Sequence, residues 1–164
     1  MKEITGDIWD FHKQGHWIVI TTNGSVKANG EAVMGGGKVR GTAFQAKQRF
    51  PGVAKILGDA IRESGNVLHH WGKEGLIFFP VKHNWWEKAD LVLIEQSTKE
   101  LRDFFNDVIA DYPIPIYLTR VGCGNGGLDW ETQVKPILEK YLDDRFIVVE
   151  RNSVALKGDE KAGD

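Results

Sequence analysis

The sequence predicts a single three-layer α/β/α domain with a mixed, largely parallel sheet of about six strands. Short continuous apolar runs, typical of strands buried on both faces, alternate along the chain with longer amphipathic stretches. This alternation favours parallel strands, because parallel neighbours need a crossover connection. Two glycine-rich segments each follow an apolar run directly. Since such sheets bind ligands beyond the carboxyl ends of their strands, we expect the functional site there.

Ten segments are predicted to form regular structure. The β-branched and aromatic content of the apolar runs indicates interior strands, and the 3.6-residue spacing of the other stretches indicates helices. The predicted interior strands are 17–20, 76–79, 116–118 and 146–149, and weaker candidates are 1–5 and 65–70. The predicted helices are 42–50, 53–64, 90–109 and 130–142. We assign residues 1–152 to the domain and 153–164 to a polar, flexible tail.

Composition limits the classes of function. The 164 residues, 41% hydrophobic and 27% charged, suit one domain, which we expect to be a monomer. A formal net charge of −2 gives no general attraction to nucleic acid, so any such contact needs a local basic patch. The single Cys123 and the polar first ten residues predict a cytoplasmic protein without an internal disulfide. No apolar run approaches the ~20 residues that span a bilayer, so we expect no membrane contact.

The first glycine-rich segment, residues 22–38, lies between the strand at 17–20 and the helix at 42–50. Three successive glycines allow backbone N–H groups to approach a phosphate, and the following helix N-terminus adds a favourable dipole. The spacing of Gly35, Gly37 and Gly41 misses the dinucleotide fingerprint by one residue, and a P-loop needs an earlier glycine. A diphosphate ligand and a simple flexible turn both remain open for this segment alone.

The second glycine-rich segment, residues 121–130, repeats the arrangement after the strand at 116–118. Two strand-to-helix loops of this kind can enclose a phosphorylated ligand from both sides, whereas chance turns need not recur in this way. The pair of loops therefore favours a ligand site.

Three segments, 5–8, 23–37 and 121–127, resemble the macrodomain family, and the similarity extends over residues 2–150. The resemblance implies binding of ADP-ribose, free or attached to a macromolecule. It assigns the adenine amino group to the Asp7 side chain and a base contact to the Ile8 backbone. The loop residues that it implies for the distal ribose and diphosphate are Thr22, Asn23, Met34, Gly35, Gly36, Gly37, Val121, Gly122, Cys123, Gly124, Asn125, Gly126 and Gly127.

Within that family, segments 33–37 and 122–130 resemble one branch most. It includes the terminal ADP-ribose protein glycohydrolase, an ADP-ribose 1″-phosphatase and the DarG-type antitoxin macrodomain that removes ADP-ribose from thymidine in DNA. In the glycohydrolase and the antitoxin a lysine follows an interior strand, and Lys82 occupies that place. The resemblance makes Lys82 the catalytic candidate; the plain alternative is a solvated lysine at a strand exit.

The glycohydrolase carries a catalytic aspartate where this sequence has Gly126. The antitoxin has glycines in that loop, so the resemblance points to its chemistry and to ADP-ribosylated single-stranded DNA as a partner, with protein as a further substrate. A non-catalytic reader of ADP-ribose and a 1″-phosphatase remain alternatives. No cofactor or metal is implied.

Several other side chains near these segments have chemistry that bears on the site. His83 and Asp129, with Glu87 more remote, are available for proton transfer. The adjacent His69 and His70 point to opposite faces of a strand, so they are not expected to share a metal. Cys123 is expected to pack rather than react. Trp85 and Trp86 either stack on a nucleobase or cover the following helix.

Overall fold

The computed structural model describes residues 1–35, 41–107 and 114–151. The strands are β1 (Lys2–Gly6), β2 (Ile18–Asn23), β3 (His69–Trp71), β4 (Leu76–Lys82), β5 (Ile116–Leu118) and β6 (Phe146–Arg151). The helices are α1 (Ile8–Lys13), α2 (Thr42–Arg49), α3 (Val53–Ser64), α4 (Leu91–Asp107) and α5 (Lys135–Glu139). A π-helical turn, Trp130–Val134, leads into α5, and a short 3₁₀ turn, Gly72–Glu74, precedes β4.

The six strands form one sheet in the order β1-β6-β5-β2-β4-β3. All neighbours are parallel except β3 and β4, which are antiparallel. The predicted mixed, largely parallel sheet of six strands is confirmed. Because five strands run in the same direction, their carboxyl ends open on one edge of the sheet.

The sheet is covered on both faces, as its continuous apolar strands require. Along β2, Val19 packs on one side with Ile94 and Leu101 of α4, whereas Ile18 and Ile20 pack on the other with the residues of α3. Helix α5 lies on the α4 side, and α1 and α2 lie on the α3 side. The predicted three layers are thus helices, sheet and helices.

Some predicted boundaries differ from the structure. Helix α1 had no sequence prediction; it begins where the Asp7 side chain accepts a hydrogen bond from the Trp9 backbone N–H, at 3.0 Å. The predicted helix at 130–142 starts as a π-helical turn, and its α-helical part ends at Glu139. The strand predicted at 65–70 forms only over His69–Trp71. Residues 108–109 of the helix predicted at 90–109, position 152 and the predicted tail lie outside the described residues.

Candidate functional site

The predicted site residues meet at the carboxyl edge of the sheet. Asp7 follows β1, the two glycine loops follow β2 and β5, and Lys82 ends β4. In the strand order, β1 and β4 lie four positions apart, with β6, β5 and β2 between them. The site is therefore a line with Asp7 at one end, Lys82 at the other and the glycine loops in the middle. Gly36 and Gly37 lie outside the described residues.

A concavity of about 300 Å³ lies at the Asp7 end. Its lining comes from the ends of β1, β5 and β6 and from helices α1 and α2: Gly6, Asp7, Ile8, Trp9, Thr42, Gln45, Gln48, Arg49, Thr119, Val149 and Arg151. Of the two carboxylate oxygens of Asp7, Oδ1 accepts the hydrogen bond from the Trp9 N–H. Oδ2 has no donor among the described residues and is left for a ligand. The cavity is large enough for an aromatic base.

The residues that form the wall of this cavity were not predicted from the sequence. The Trp9 indole donates to Gln45 Oε1 at 2.8 Å, and the Arg49 guanidinium lies 4.3 Å from the Trp9 ring centre. Gln45 and Arg49 are four residues apart on α2 and therefore share one face. That spacing is visible in the sequence, but it does not predict that this face of α2 packs against Trp9 and lines a cavity.

The first glycine loop is held in shape by Asn23. Its Nδ2 donates to the Val33 carbonyl at 3.0 Å, and its Oδ1 accepts from the Ser25 backbone N–H at 2.9 Å. Thr22 and Met34 are buried, and the Met34 side chain packs into the core on the α3 side of the sheet. Gly35 has φ of +68°, and a Cβ atom there would lie 3.0 Å from Phe44 Cβ, so the loop passes closely over the start of α2. Ligand contacts of these residues remain predictions.

The second glycine loop folds tightly on itself. The Leu128 N–H donates to the Gly122 carbonyl at 3.0 Å, and the Ala89 N–H donates to the Gly126 carbonyl, also at 3.0 Å. Val121 and Gly126 are buried, whereas Gly124 and Asn125 at the tip are exposed. The exposed tip can meet a ligand while its base is packed against the segment that follows β4.

Gly126 has no room for a side chain. A Cβ atom there would lie 2.7 Å from the Cβ of Ala89 and would overlap the Gly122 carbonyl oxygen. Gly122 is similarly restricted, with φ of +76° and Ile94 Cδ1 at 2.8 Å from the Cβ position. The loop geometry thus gives a physical reason why no acid occupies position 126.

Lys82 lies beside Asn23 at the ends of neighbouring strands, where the register shifts by a β-bulge. Its backbone carbonyl accepts from Asn66 Nδ2 at 2.9 Å, and its Nζ approaches the Trp85 carbonyl at 3.4 Å. No carboxylate of the described ranges forms an ion pair with it. Partial burial lowers the pKa of the Lys82 amine below its usual range, because the charged form is desolvated. This environment favours a free amine more than full exposure to water does.

A second ionisable pair follows Lys82 immediately. His83 Nε2 and Asp90 Oδ2 share a hydrogen bond of 2.7 Å, and Asp90 Oδ1 accepts from the Val92 N–H at 2.9 Å. The contact with His83 holds the pKa of Asp90 below its usual range. His83 was predicted from the sequence as a proton-transfer candidate, whereas its partner Asp90 was not.

The other proton-transfer candidates are engaged locally. Asp129 caps the π-helical turn by accepting from the N–H and Oγ1 of Thr132, at 2.8 and 2.6 Å. These bonds hold the pKa of Asp129 below its usual range. Glu87 accepts from Asn84 Nδ2 at 2.7 Å. Of these candidates, only His83 directly follows Lys82 in the chain.

Cys123, His69 and His70 lie in packing or local hydrogen-bonding environments, as the sequence predicted. Burial raises the pKa of the half-buried Cys123 thiol to about 11, which keeps it protonated at neutral pH. The His70 ring lies 4.6 Å from Phe104, and the His69 ring contacts the Gly65 carbonyl. Across the described ranges, no three His, Cys, Asp or Glu side chains are grouped to hold a metal ion. None of the described helices combines the length and apolarity needed to cross a bilayer.

Comparison with known proteins gave structural relatives only. No protein-family model and no curated protein sequence matches the chain. The macrodomain of Thermus aquaticus DarG is 22% identical, with a TM-score of 0.67, and the match covers 92% of this chain and 97% of that one. The Mycobacterium tuberculosis DarG macrodomain is 21% identical, with a TM-score of 0.68 and coverages of 92% and 97%. Thermosipho africanus DarTG in complex with ADP-ribose is 20% identical, with a TM-score of 0.68 and coverages of 93% and 41%.

Proposed function

We propose, from the macrodomain fold that this chain shares with the DarG structures, that it binds ADP-ribose and hydrolyses the bond joining ADP-ribose to a macromolecule. The observation that carries the proposal is the line of Asp7, two glycine loops and Lys82 along one edge of the sheet. DNA modified on thymidine is the preferred substrate in this proposal, and modified protein is the second.

The order of the strands supports the orientation of the ligand. Four inter-strand spacings of ~4.8 Å separate β1 from β4, which gives about 19 Å between the two ends of the site. That span suits an extended molecule with a base at one end, a sugar at the other and a diphosphate between. Adenine then occupies the cavity at Asp7, the diphosphate lies between the glycine loops, and the distal ribose lies at Lys82.

Asp7→Asn tests the adenine end. The asparagine keeps a carbonyl oxygen for the Trp9 N–H but replaces the other carboxylate oxygen with an amide donor, which opposes the adenine amino group. We expect ADP-ribose affinity to fall by roughly 10- to 100-fold in a calorimetric titration, with little change in Tm. Asp10→Asn, on an exposed position of α1 outside the cavity, is the matched control. Equal affinities for the two variants would remove adenine from this cavity.

Lys82 supplies the chemistry in the proposed reaction. As a free amine, Nζ attacks C1″ of the distal ribose, and the bond from C1″ to the nucleobase nitrogen breaks with its electron pair going to the base. The departing base takes up a proton. Water then adds to C1″ and the C1″–Nζ bond breaks, which releases ADP-ribose and regenerates the lysine. The lowered pKa of Lys82 supports this role, because attack requires the unprotonated amine.

The His83–Asp90 pair is the proposed proton source for the leaving base. His83 follows Lys82 in the chain, and its hydrogen bond to Asp90 fixes the orientation of the ring. The leaving group then departs as a neutral base.

Gly126 supports nucleic acid over protein as substrate, because the packed loop has no space for the acid of the glycohydrolase type.

The rate is expected to depend on pH through Lys82. The reactive amine must lose a proton, so the rate of the chemical step rises with pH until that amine is deprotonated, and the midpoint lies below the ordinary lysine pKa of 10.5. Single-turnover hydrolysis measured between about pH 6 and pH 9 checks this rise. Because the proposed donor, His83, must keep its proton, the rate can fall again beyond its maximum, and a rate with no rising limb anywhere in that range contradicts attack by the Lys82 amine.

A non-catalytic reader of ADP-ribose is the second candidate, favoured by the missing acid at position 126. Wild-type protein is therefore incubated with ADP-ribosylated single-stranded DNA, ADP-ribosylated protein and ADP-ribose 1″-phosphate. Release of ADP-ribose from either polymer supports the hydrolase, and inorganic phosphate from the third identifies a phosphatase instead. Tight ADP-ribose binding with all three left intact supports the reader and removes the enzyme.

A further inference from the structure

Two adjacent tryptophans are exposed next to the Lys82 end of the site. Trp85 and Trp86 are 56% and 66% exposed, and their rings meet edge to face with centres 5.8 Å apart. Scattered exposed apolar residues are ordinary, but two large aromatic rings in contact form a patch that marks an interaction surface. Their exposure argues against the alternative that they cover the helix that follows.

The tryptophan pair is fixed between Lys82 and the first glycine loop. The Trp85 N–H donates to Ser25 Oγ at 3.0 Å, and the Trp85 carbonyl lies 3.4 Å from Lys82 Nζ. The turn that carries both rings is closed by the Glu87 N–H, which donates to the Asn84 carbonyl at 3.1 Å. The turn that carries the two rings therefore adjoins both Lys82 and the first glycine loop.

Basic residues lie on the segments that adjoin the tryptophan turn. Lys27, two residues beyond Ser25, is exposed, and its carbonyl accepts from the Arg62 guanidinium at 3.0 Å. The aliphatic stem of Lys88 lies against Gly127 of the second glycine loop. A chain with a net charge of −2 has no general affinity for nucleic acid, so these local cations are the groups that can meet phosphates.

We propose that Trp85 and Trp86 are the stacking surface for nucleobases adjacent to the modified nucleotide in single-stranded DNA. The inference rests on the proposed function, since it places the linked strand beside the distal ribose. Base–aromatic stacking tolerates any sequence, because every base has a π face. Bases in a duplex are already stacked, so the surface selects single strands. The pair thus acts in substrate selection and leaves the reacting atoms to Lys82.

Two substrates separate stacking from chemistry: a single ADP-ribosylated thymidine nucleotide and a single-stranded oligonucleotide with one ADP-ribosylated thymidine. Replacing both tryptophans by leucine removes the π faces but keeps apolar side chains, and replacing both by phenylalanine keeps the faces. For the leucine variant we expect kcat/KM on the oligonucleotide to fall about tenfold or more, with the mononucleotide changed less than about twofold. The phenylalanine variant and the control Ile56→Ala, an exposed apolar residue on α3, retain activity on both.

An equal fall on both substrates, or no fall on either, overturns the stacking role, as does a loss confined to ADP-ribosylated protein. The proposal also has a readout that needs no hydrolysis. Anisotropy of a dye-labelled, unmodified thymidine-rich oligonucleotide measures strand binding directly, and the leucine variant is expected to bind about tenfold or more weakly than the phenylalanine variant. Equal binding by the two contradicts the inference. Normal strand binding without turnover counts against the proposed hydrolase and not against the stacking surface.

Discussion

Lys82→Ala is expected to slow release of ADP-ribose from thymidine-modified DNA by roughly 10³-fold or more, with free ADP-ribose bound within about threefold of wild type. The amine is the proposed nucleophile, while the proposed adenine and diphosphate contacts lie elsewhere along the edge of the sheet. The two results are measured by product analysis at saturating substrate and by calorimetry. A variant that cleaves as fast as wild type contradicts the assignment.

Two further variants sharpen this test. Lys82→Arg retains the positive charge but has no amine that is free near neutral pH, so it stays inactive if Lys82 attacks C1″ and keeps part of the rate if Lys82 only stabilises charge. Lys73→Ala removes an exposed lysine from the 3₁₀ turn at the opposite end of β4 and is expected to leave the rate unchanged.

Gly126→Asp is expected to damage binding rather than to restore the acid of the glycohydrolase type. Its Cβ would overlap the Gly122 carbonyl and crowd Ala89, so the second glycine loop must open. We expect ADP-ribose affinity to fall about tenfold or more, and stability to fall by about 1–3 kcal/mol. Calorimetry and thermal unfolding measure the two effects, and no gain of activity on ADP-ribosylated protein over wild type is expected.

The matched control is Gly72→Ala, at the opposite end of the sheet. There an added Cβ meets only Trp17 Cη2, at an ordinary 3.8 Å. If Gly126→Asp binds ADP-ribose as well as this control does, the packing of the loop is not what excludes an acid.

The elements that the sequence predicted best have strong local signals. Helix α3 matches its predicted bounds, because Gly52 and Gly65 adopt positive φ at its two ends and Val53, Leu57 and Ile61 repeat on one buried face. Helix α1 was missed because six residues carry too little periodicity and the start depends on the Asp7 cap. Strand β2 extends beyond its apolar run, because Asn23 pairs with Lys82 across a bulge that only the neighbouring strand determines.

Some residues of the candidate site were predicted from the sequence and others were not. The resemblance supplied Asp7, both glycine loops and Lys82, and the parallel sheet brings the described members of this set to one edge. Gln45, Arg49 and Arg151 line the cavity from two elements that are far apart in the chain, so the spacing of Gln45 and Arg49 on one helix does not reveal the cavity. The pairing of His83 with Asp90 depends on the turn between them, which carries no motif.

Multiple-turnover release of ADP-ribose from an oligonucleotide modified on thymidine is the most direct measurement of the proposed activity. Wild-type protein at a small fraction of the substrate concentration is expected to yield free ADP-ribose and unmodified oligonucleotide in equal amounts, well in excess of the protein added. An oligonucleotide that is bound but remains fully modified would contradict hydrolysis and leave a protein that only holds ADP-ribose.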